Sequence, residues 1–245
     1  MTRKDLGTDP VPTATVNGST VPLLAAKDMV VGYGSVHVLK GFNLAVLPGE
    51  VVALLGANGA GKTTTLHALA GELPLQSGSV SLLGRTIQSP LHRRARRGLG
   101  LLTEERSVFT KLTVEQNLRL GRGSIERALE EMPELRSLLK RRGGLLSGGE
   151  QQMLSLARAL AGDYKVLLID EISLGLAPII VQRLHRAIRK AAIERGLGVL
   201  LVEQHVRAAL QIADRAIVLR RGDVVLTGTS EELSGRLDEI RRVYL

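Results

Sequence analysis

Cysteine and tryptophan are absent from this 245-residue chain, and it carries only two Phe and three Tyr. The first absence excludes disulfides and thiolate metal sites and is compatible with a reducing compartment. The scarcity of aromatics means that a core must be built from Leu, Ile, Val and Ala. With 44% hydrophobic residues there is enough apolar material for one large domain or two small ones. No stretch approaches the roughly 18 consecutive apolar residues of a membrane-spanning helix. The opening MTRKDLGTDPVPTATVNGST lacks the apolar middle of a signal peptide. Residues 1–21 therefore read as a flexible lead-in to a domain over residues 22–245.

Positive charge is in excess. The formal charge is +9 and the sequence pI about 10.3, which permits attraction to nucleic acid, anionic membrane surfaces or phosphorylated ligands without choosing among them. The densest run, HRRARR at residues 92–97, has no interleaved aromatics for base stacking. It reads as a solvated helix face.

Short apolar runs punctuate the chain. LLAAKDMVVGYG and VHVLKGFNLAVLPGE read as an antiparallel pair closed by Pro48-Gly49. EVVALLG, continuous and apolar, reads as a buried central strand, and SVSLLG, GLGLLTE, KVLLID, LGVLLVE, RAIVLRRG and DVVLTG follow. Several alternate with helical stretches, which predicts an α/β domain with a mainly parallel sheet and an added antiparallel part. Between residues 112 and 145 the strands stop. Thr113 and Gln116 have capping-box spacing there, and SIERALEEMPELRSLLKRR is charged and amphipathic. A helical subdomain over about residues 104–160 is expected.

GANGAGKT, Gly56 to Thr63, fits G-x-x-x-x-G-K-[ST] between an apolar strand and a helix. Such a loop (Gly56, Ala57, Asn58, Gly59, Ala60, Gly61, then Lys62, Thr63 and Thr64) wraps backbone N–H groups around phosphate oxygens at a positive helix end. Lys62 supplies a point charge for β- and γ-phosphates, and Thr63 a hydroxyl for Mg²⁺. An incidental Gly-rich turn would not require both the spacing and the context.

KVLLIDEISLGLAP ends a buried run in two carboxylates, Asp170 and Glu171. Alone, these could simply mark where a strand meets water. Beside a phosphate loop, Asp170 has the setting of the carboxylate directed at Mg²⁺, and Glu171 lies where a base could accept a proton from water. LSGGEQQMLSLARAL is equally double: Ser147 and Glu150 have capping-box spacing, and Met153, Leu154, Ala157 and Leu160 form a helical stripe.

Taken in order, these motifs resemble the ATP-binding cassette (ABC) ATPases from about residue 23 to the end. GANGAGKTT, TVEQNL, LSGGEQQML and SLGLAPII look most like the LivF-type ATPases of branched-chain amino-acid importers. The resemblance implies a P-loop fold with an antiparallel β subdomain and an inserted helical subdomain, and Mg-ATP as the ligand. Tyr33 then looks like the residue that stacks on adenine, and Ser147, Gly148 and Gly149 like the signature that meets ATP across a head-to-tail dimer. Glu104 stands in the Q-loop position with a water-mediated metal contact, and His205 resembles the switch residue at the γ-phosphate. The implied partners are a second ATPase subunit, identical or not, integral-membrane permeases and, indirectly, an extracytoplasmic binding protein, with the chain peripheral on the cytoplasmic membrane face and no specific nucleic acid. Three residues depart from the pattern: Glu104 replaces Gln, Glu105 replaces the Gly common in the subgroup, and Ile172 replaces the usual Pro, which frees φ and restores an N–H at the turn. Two other readings stay open: a soluble nucleotide-gated module acting on nucleic acid or a protein complex, and an ATP-binding partner that hydrolyses poorly.

Overall fold

The computed structural model describes residues 21–105 and 107–244, so the expected flexible lead-in falls, Val21 apart, outside the described residues. Among the described residues, ten strands form two sheets. The first is antiparallel, in the order β2-β1-β4-β5, from β1 (Leu24–Tyr33), β2 (Val36–Val46), β4 (Ser77–Leu82) and β5 (Arg85–Ile87). The second has the order β10-β9-β3-β8-β7-β6, from β3 (Val51–Gly56), β6 (Leu99–Leu102), β7 (Val166–Asp170), β8 (Gly198–Glu203), β9 (Arg215–Arg220) and β10 (Asp223–Thr229). Its pairs are parallel except for the β9–β10 hairpin at one edge. The expected division into a mainly parallel sheet and an antiparallel part is the one observed.

Strands β3, β7 and β8 are buried along their whole lengths, which is why they read as unbroken apolar runs. Strand alternation sends Leu167 and Ile169 into one core cluster and Val166 and Leu168 into the other. The first cluster includes residues of α3 (Val114–Arg119), α4 (Ile125–Glu131), α5 (Gly148–Ala161) and α6 (Pro178–Arg195); the second joins the antiparallel sheet to α1 (Lys62–Ala70). Helices α3 to α5 lie between β6 and β7, and both predicted capping boxes are formed, at Thr113/Gln116 and Ser147/Glu150. The amphipathic run that begins at Ser124 is not one helix: α4 ends at Glu131, and Pro133, which has no N–H to continue the ladder, begins a 3₁₀ turn through Leu138.

The basic run also departs from expectation. It forms α2 (Leu91–Arg96), but Arg94 is buried and donates to Ser89 O (2.6 Å), Leu69 O (2.6 Å) and Ala68 O (3.2 Å). It donates to carbonyls at the C-terminal end of α1, which have no intrahelical N–H donors, and Ala68 O accepts from the Gly71 N–H as well. Burial lowers its pKa. Only the remainder of the run faces solvent.

Candidate nucleotide site

Strand order dictates the site. β8 lies between β3 and β7, with Leu55 opposite Glu203 and Asp170 opposite Val202. The phosphate loop, the Asp-Glu pair and the end of β8 therefore emerge side by side at the carboxyl edge of the sheet, where open α/β sheets bind ligands.

The loop's shape depends on two glycines in particular. A Cβ on Gly56 would lie 2.6 Å from Leu219 O, and Gly61, the residue before α1, has φ +106°. Lys62 folds back to donate to Gly56 O (2.9 Å) and Ala57 O (3.2 Å), and its ammonium lies 3.4 Å from Glu171 Oε1. Asn58, Gly59, Gly61, Lys62, Thr63 and Thr64 line one side of a cleft of about 380 Å³; Glu104, Glu171, Leu174 and Gln204 line the other. Sequence-predicted residues from three separate segments are thus brought together.

Asp170 lies deeper. It is 5% exposed, its Oδ1 is buried without a hydrogen-bond partner, and its pKa is raised to about 6. Burial is the main cause; Glu171 and Glu104 push the same way, opposed by a hydrogen bond from Thr63 and by the Lys62 charge. An orphaned carboxylate oxygen beside a helix-start hydroxyl, with two further carboxylates close by, suits a hard divalent cation. Among the described residues no group of three His, Cys, Asp or Glu is disposed to hold a metal alone. The donor set instead fits Mg²⁺ that takes its other ligands from phosphate and water.

Glu171 turns the chain. It has φ +44°, unusual for a residue with a side chain, and its N–H donates to Val202 O (3.0 Å). Ile172, where loss of proline implied a looser turn, is 1% exposed and packed in the core, so side-chain burial holds what ring closure does not.

The residues that follow β8 are divided between two cavities. His205 is not among the residues lining the phosphate cleft; its Nδ1 lies 3.1 Å from Ser173 Oγ, on a larger, mostly apolar cavity beside α6 and α7 (Val206–Leu210). Gln204 enters the phosphate cleft instead and donates its amide to Glu171 Oε2 at 2.6 Å. The sequence signal was present: Gln204 is the first residue beyond β8, but an amide is chemically less conspicuous than a histidine. Tyr244 was not legible at all. Just beyond α9 (Leu237–Val243), it accepts a hydrogen bond from Gly56 N (2.9 Å), and burial raises its hydroxyl pKa to about 12.

Tyr33 ends β1, 58% exposed. Ser147 caps α5 by accepting from Glu150 N (3.3 Å), and its own N–H donates to Glu150 Oε2 (2.6 Å). That bond lowers the Glu150 pKa. Gly148 and Gly149 begin α5, and a Cβ on Gly149 would press to 3.3 Å against Ile180. Glu104 and Glu105 also border a second cleft, of about 480 Å³, with Val108, Thr110 and Gln152.

Residues 39–173 match the family described as ABC transporter. The chain is 40% identical over 223 residues to the high-affinity branched-chain amino acid transport ATP-binding protein BraG of Pseudomonas aeruginosa, covering 87% of this chain and 95% of that protein. It is 35% identical over 236 residues to the lipopolysaccharide export system ATP-binding protein LptB of Haemophilus influenzae, covering 91% and 97%. A solved ATP-binding subunit of an ABC transporter superposes with a TM-score of 0.78 at 28% identity, over 89% of this chain and 98% of the other. By motif, geometry and these likenesses, the chain belongs to the ABC transporter family, as one of its ATP-hydrolysing cassettes.

Proposed function

We propose that this cassette energises import of branched-chain amino acids through separate permease subunits. The convergence of Lys62, Asp170, Glu171 and Gln204 at one sheet edge carries the ATP-hydrolysing part of the reading. The likeness to BraG and the SLGLAPII stretch support the cargo class. The likeness to LptB favours a second reading, in which the same cassette drives lipopolysaccharide export.

Mg²⁺, when bound, neutralises charge on the transferring phosphoryl group. Thr63 and Asp170 would hold the ion, with Glu104 reaching it through water. Lys62 and the amides of residues 56–64 bind and orient the phosphates, and Tyr33 stacks on the adenine. Glu171 accepts the proton of the attacking water. Gln204, which shares the cleft with Glu171, faces the γ-phosphate beside the switch residue His205.

Closure of a dimer needs a ligand that binds the closed state better, and contacts present in both states shift nothing. In a head-to-tail pair, Ser147, Gly148 and Gly149 at the start of α5 supply contacts made only on closure, where N–H groups and a positive helix end face phosphate. Residues 104–160 form the helical subdomain and permease-docking face in this reading, with Phe109 exposed beside the second cleft. No described helix is long and apolar enough to cross a membrane; attachment through permeases would place the cassette peripherally on the cytoplasmic face.

The deciding experiment is affinity purification from gently solubilised native membranes. Recovery of permeases with an amino-acid-binding protein supports import. Recovery of lipopolysaccharide-export components replaces it, and salt-sensitive nucleic-acid capture without membrane partners overturns both.

A further inference from the structure

Glu203 is a carboxylate that the nucleotide chemistry above leaves unused. It is 1% exposed, at the end of β8, and faces a turn rather than the cleft. Both oxygens are spent on one residue of that turn: Oε1 accepts from Ser173 N (3.1 Å) and Oε2 from Ser173 Oγ (2.6 Å). Ser173 is itself 3% exposed. Its hydroxyl has one proton, and a carboxylate can only accept, so the hydroxyl donates to Glu203 and accepts from His205 Nδ1–H at 3.1 Å. His185 Nε2 lies 3.9 Å from Glu203 Oε1, beyond hydrogen-bond range.

The gripped turn carries Glu171. Leu174 N donates to Glu171 O (3.2 Å), closing a turn over residues 171–174, and Glu171 enters it at φ +44°. A left-handed residue with a side chain persists only where its surroundings over-determine it. Here those surroundings are successive contacts between two turns: Val202 with Glu171, Glu203 with Ser173, Gln204 with Glu171 and His205 with Ser173. Without proline at position 172, the two arms of Glu203, with His205 behind the Ser173 hydroxyl, are polar restraints on the middle of the turn.

We infer that Glu203 is a positioning residue that, through Ser173, fixes the direction in which Glu171 leaves β7. Misplacing a base by a fraction of an ångström lowers turnover without weakening nucleotide binding, because phosphate contacts lie on another loop. The inference rests on Glu171 being the base, and its test separates the two.

Full-length protein is assayed as wild type, Ser173→Ala, Glu203→Gln, Glu171→Gln and Glu171→Gln/Ser173→Ala. The readouts are steady-state kcat and KM for MgATP, MgADP affinity, thermal midpoint and single-turnover hydrolysis with excess protein. Ser173→Ala removes one arm and keeps the other; Glu203→Gln keeps the shape but removes the charge that strengthens both arms. Each is expected to lower kcat about tenfold or more, with KM and MgADP affinity within about twofold of wild type. On the Glu171→Gln background, Ser173→Ala is expected to add no further slowing, since its effect passes through Glu171. Wild-type kcat in Ser173→Ala and Glu203→Gln, with Glu171→Gln inactive, overturns the positioning role and leaves the base intact. Equal slowing on both backgrounds, or losses that follow the thermal midpoint, also overturns it. Wild-type turnover in Glu171→Gln removes the base assignment, and this inference with it.

Discussion

Gln204 donates its side-chain amide to Glu171 Oε2 at 2.6 Å while Lys62 lies 3.4 Å from Oε1, so the two carboxylate oxygens are held from opposite sides of the cleft. An amide does not titrate near neutrality, whereas an imidazole does. Residue 204 should therefore add no limb to the pH profile of turnover. Gln204→Ala is expected to lower kcat by about 10–100-fold, the scale of one well-placed hydrogen-bonding group at a reacting centre. Gln204→His is expected to create a limb near the histidine range, about pH 6.5. Profiles of kcat against pH for the three proteins check both; an unaltered kcat in Gln204→Ala removes the residue from the site's chemistry.

Glu171→Gln keeps the shape and the acceptor oxygen for Gln204 but loses the base. Turnover should fall almost to zero while ATP binding persists, and the ATP-bound dimer should live longer because hydrolysis no longer severs its γ-phosphate link. Equilibrium ATP binding, steady-state hydrolysis and dimer lifetime by size-exclusion chromatography check the three parts separately. Persistent wild-type hydrolysis would remove Glu171 from the role.

The contrast between Gln204 and Asp170 shows what a sequence discloses. Asp170 closes a continuous apolar run, and Lys62 sits at fixed spacing in a glycine loop, so local pattern placed both. Gln204 owes its place to β8 lying between β3 and β7, a property of sheet order that no local pattern encodes. One residue of register separates Gln204, which lines the phosphate cleft, from His205, which lines the neighbouring cavity. Arg94 and Tyr244 were hidden for the same reason: their partners are 25 and 188 residues away. Fold class, most strands and the capping boxes depend on neighbours in sequence and were correspondingly legible, apart from the three-residue β5 and the helix that Pro133 interrupts.

Asp170 makes stability depend on pH. Its folded pKa, about 6, exceeds the ordinary value of 3.8, chiefly through burial. The folded state therefore binds the proton more tightly than the unfolded chain. This contribution to stability is fully present below about pH 3.8 and is lost as pH rises through about 6. At pH 8 the ionised carboxylate is a net cost in nucleotide-free protein, and Asp170→Asn should be more stable there by about 1–3 kcal/mol. The advantage should shrink toward pH 4. Thermal unfolding of both proteins at pH 4, 6 and 8 without nucleotide tests this. Mg-ATP should reverse the order at pH 8, because the cation favours the ionised form in wild type alone.

Tyr244 braces the phosphate loop from behind, with its hydroxyl accepting from Gly56 N. Tyr244→Phe preserves packing and strands that N–H, at a cost of about 1–2 kcal/mol. Because Gly56 opens the loop, ATP affinity should also weaken, by about three- to tenfold, while the pH dependence of kcat stays unchanged. Calorimetric ATP binding and thermal unfolding check the pair, and unchanged affinity would confine Tyr244 to stability.

Arg94 separates a buried cation from its solvated neighbours within one helix. Replacing it by Met retains much of the stem and leaves three carbonyls, of Ser89, Ala68 and Leu69, without this donor. Ala68 O keeps its bond from the Gly71 N–H, so the penalty falls on the acceptors of Ser89 and Leu69, and Arg94→Met should lose about 2–4 kcal/mol. Arg93→Ala and Arg96→Ala, exposed on the same helix, should each stay within about 0.5 kcal/mol of wild type. Denaturant unfolding of the three variants decides the matter. Equal small effects would mean that the run acts only as surface charge. A selective loss at residue 94 would show that a single arginine ties the far end of the phosphate-loop helix to the Ser89 segment that leads into α2, whatever the rest of the basic run binds.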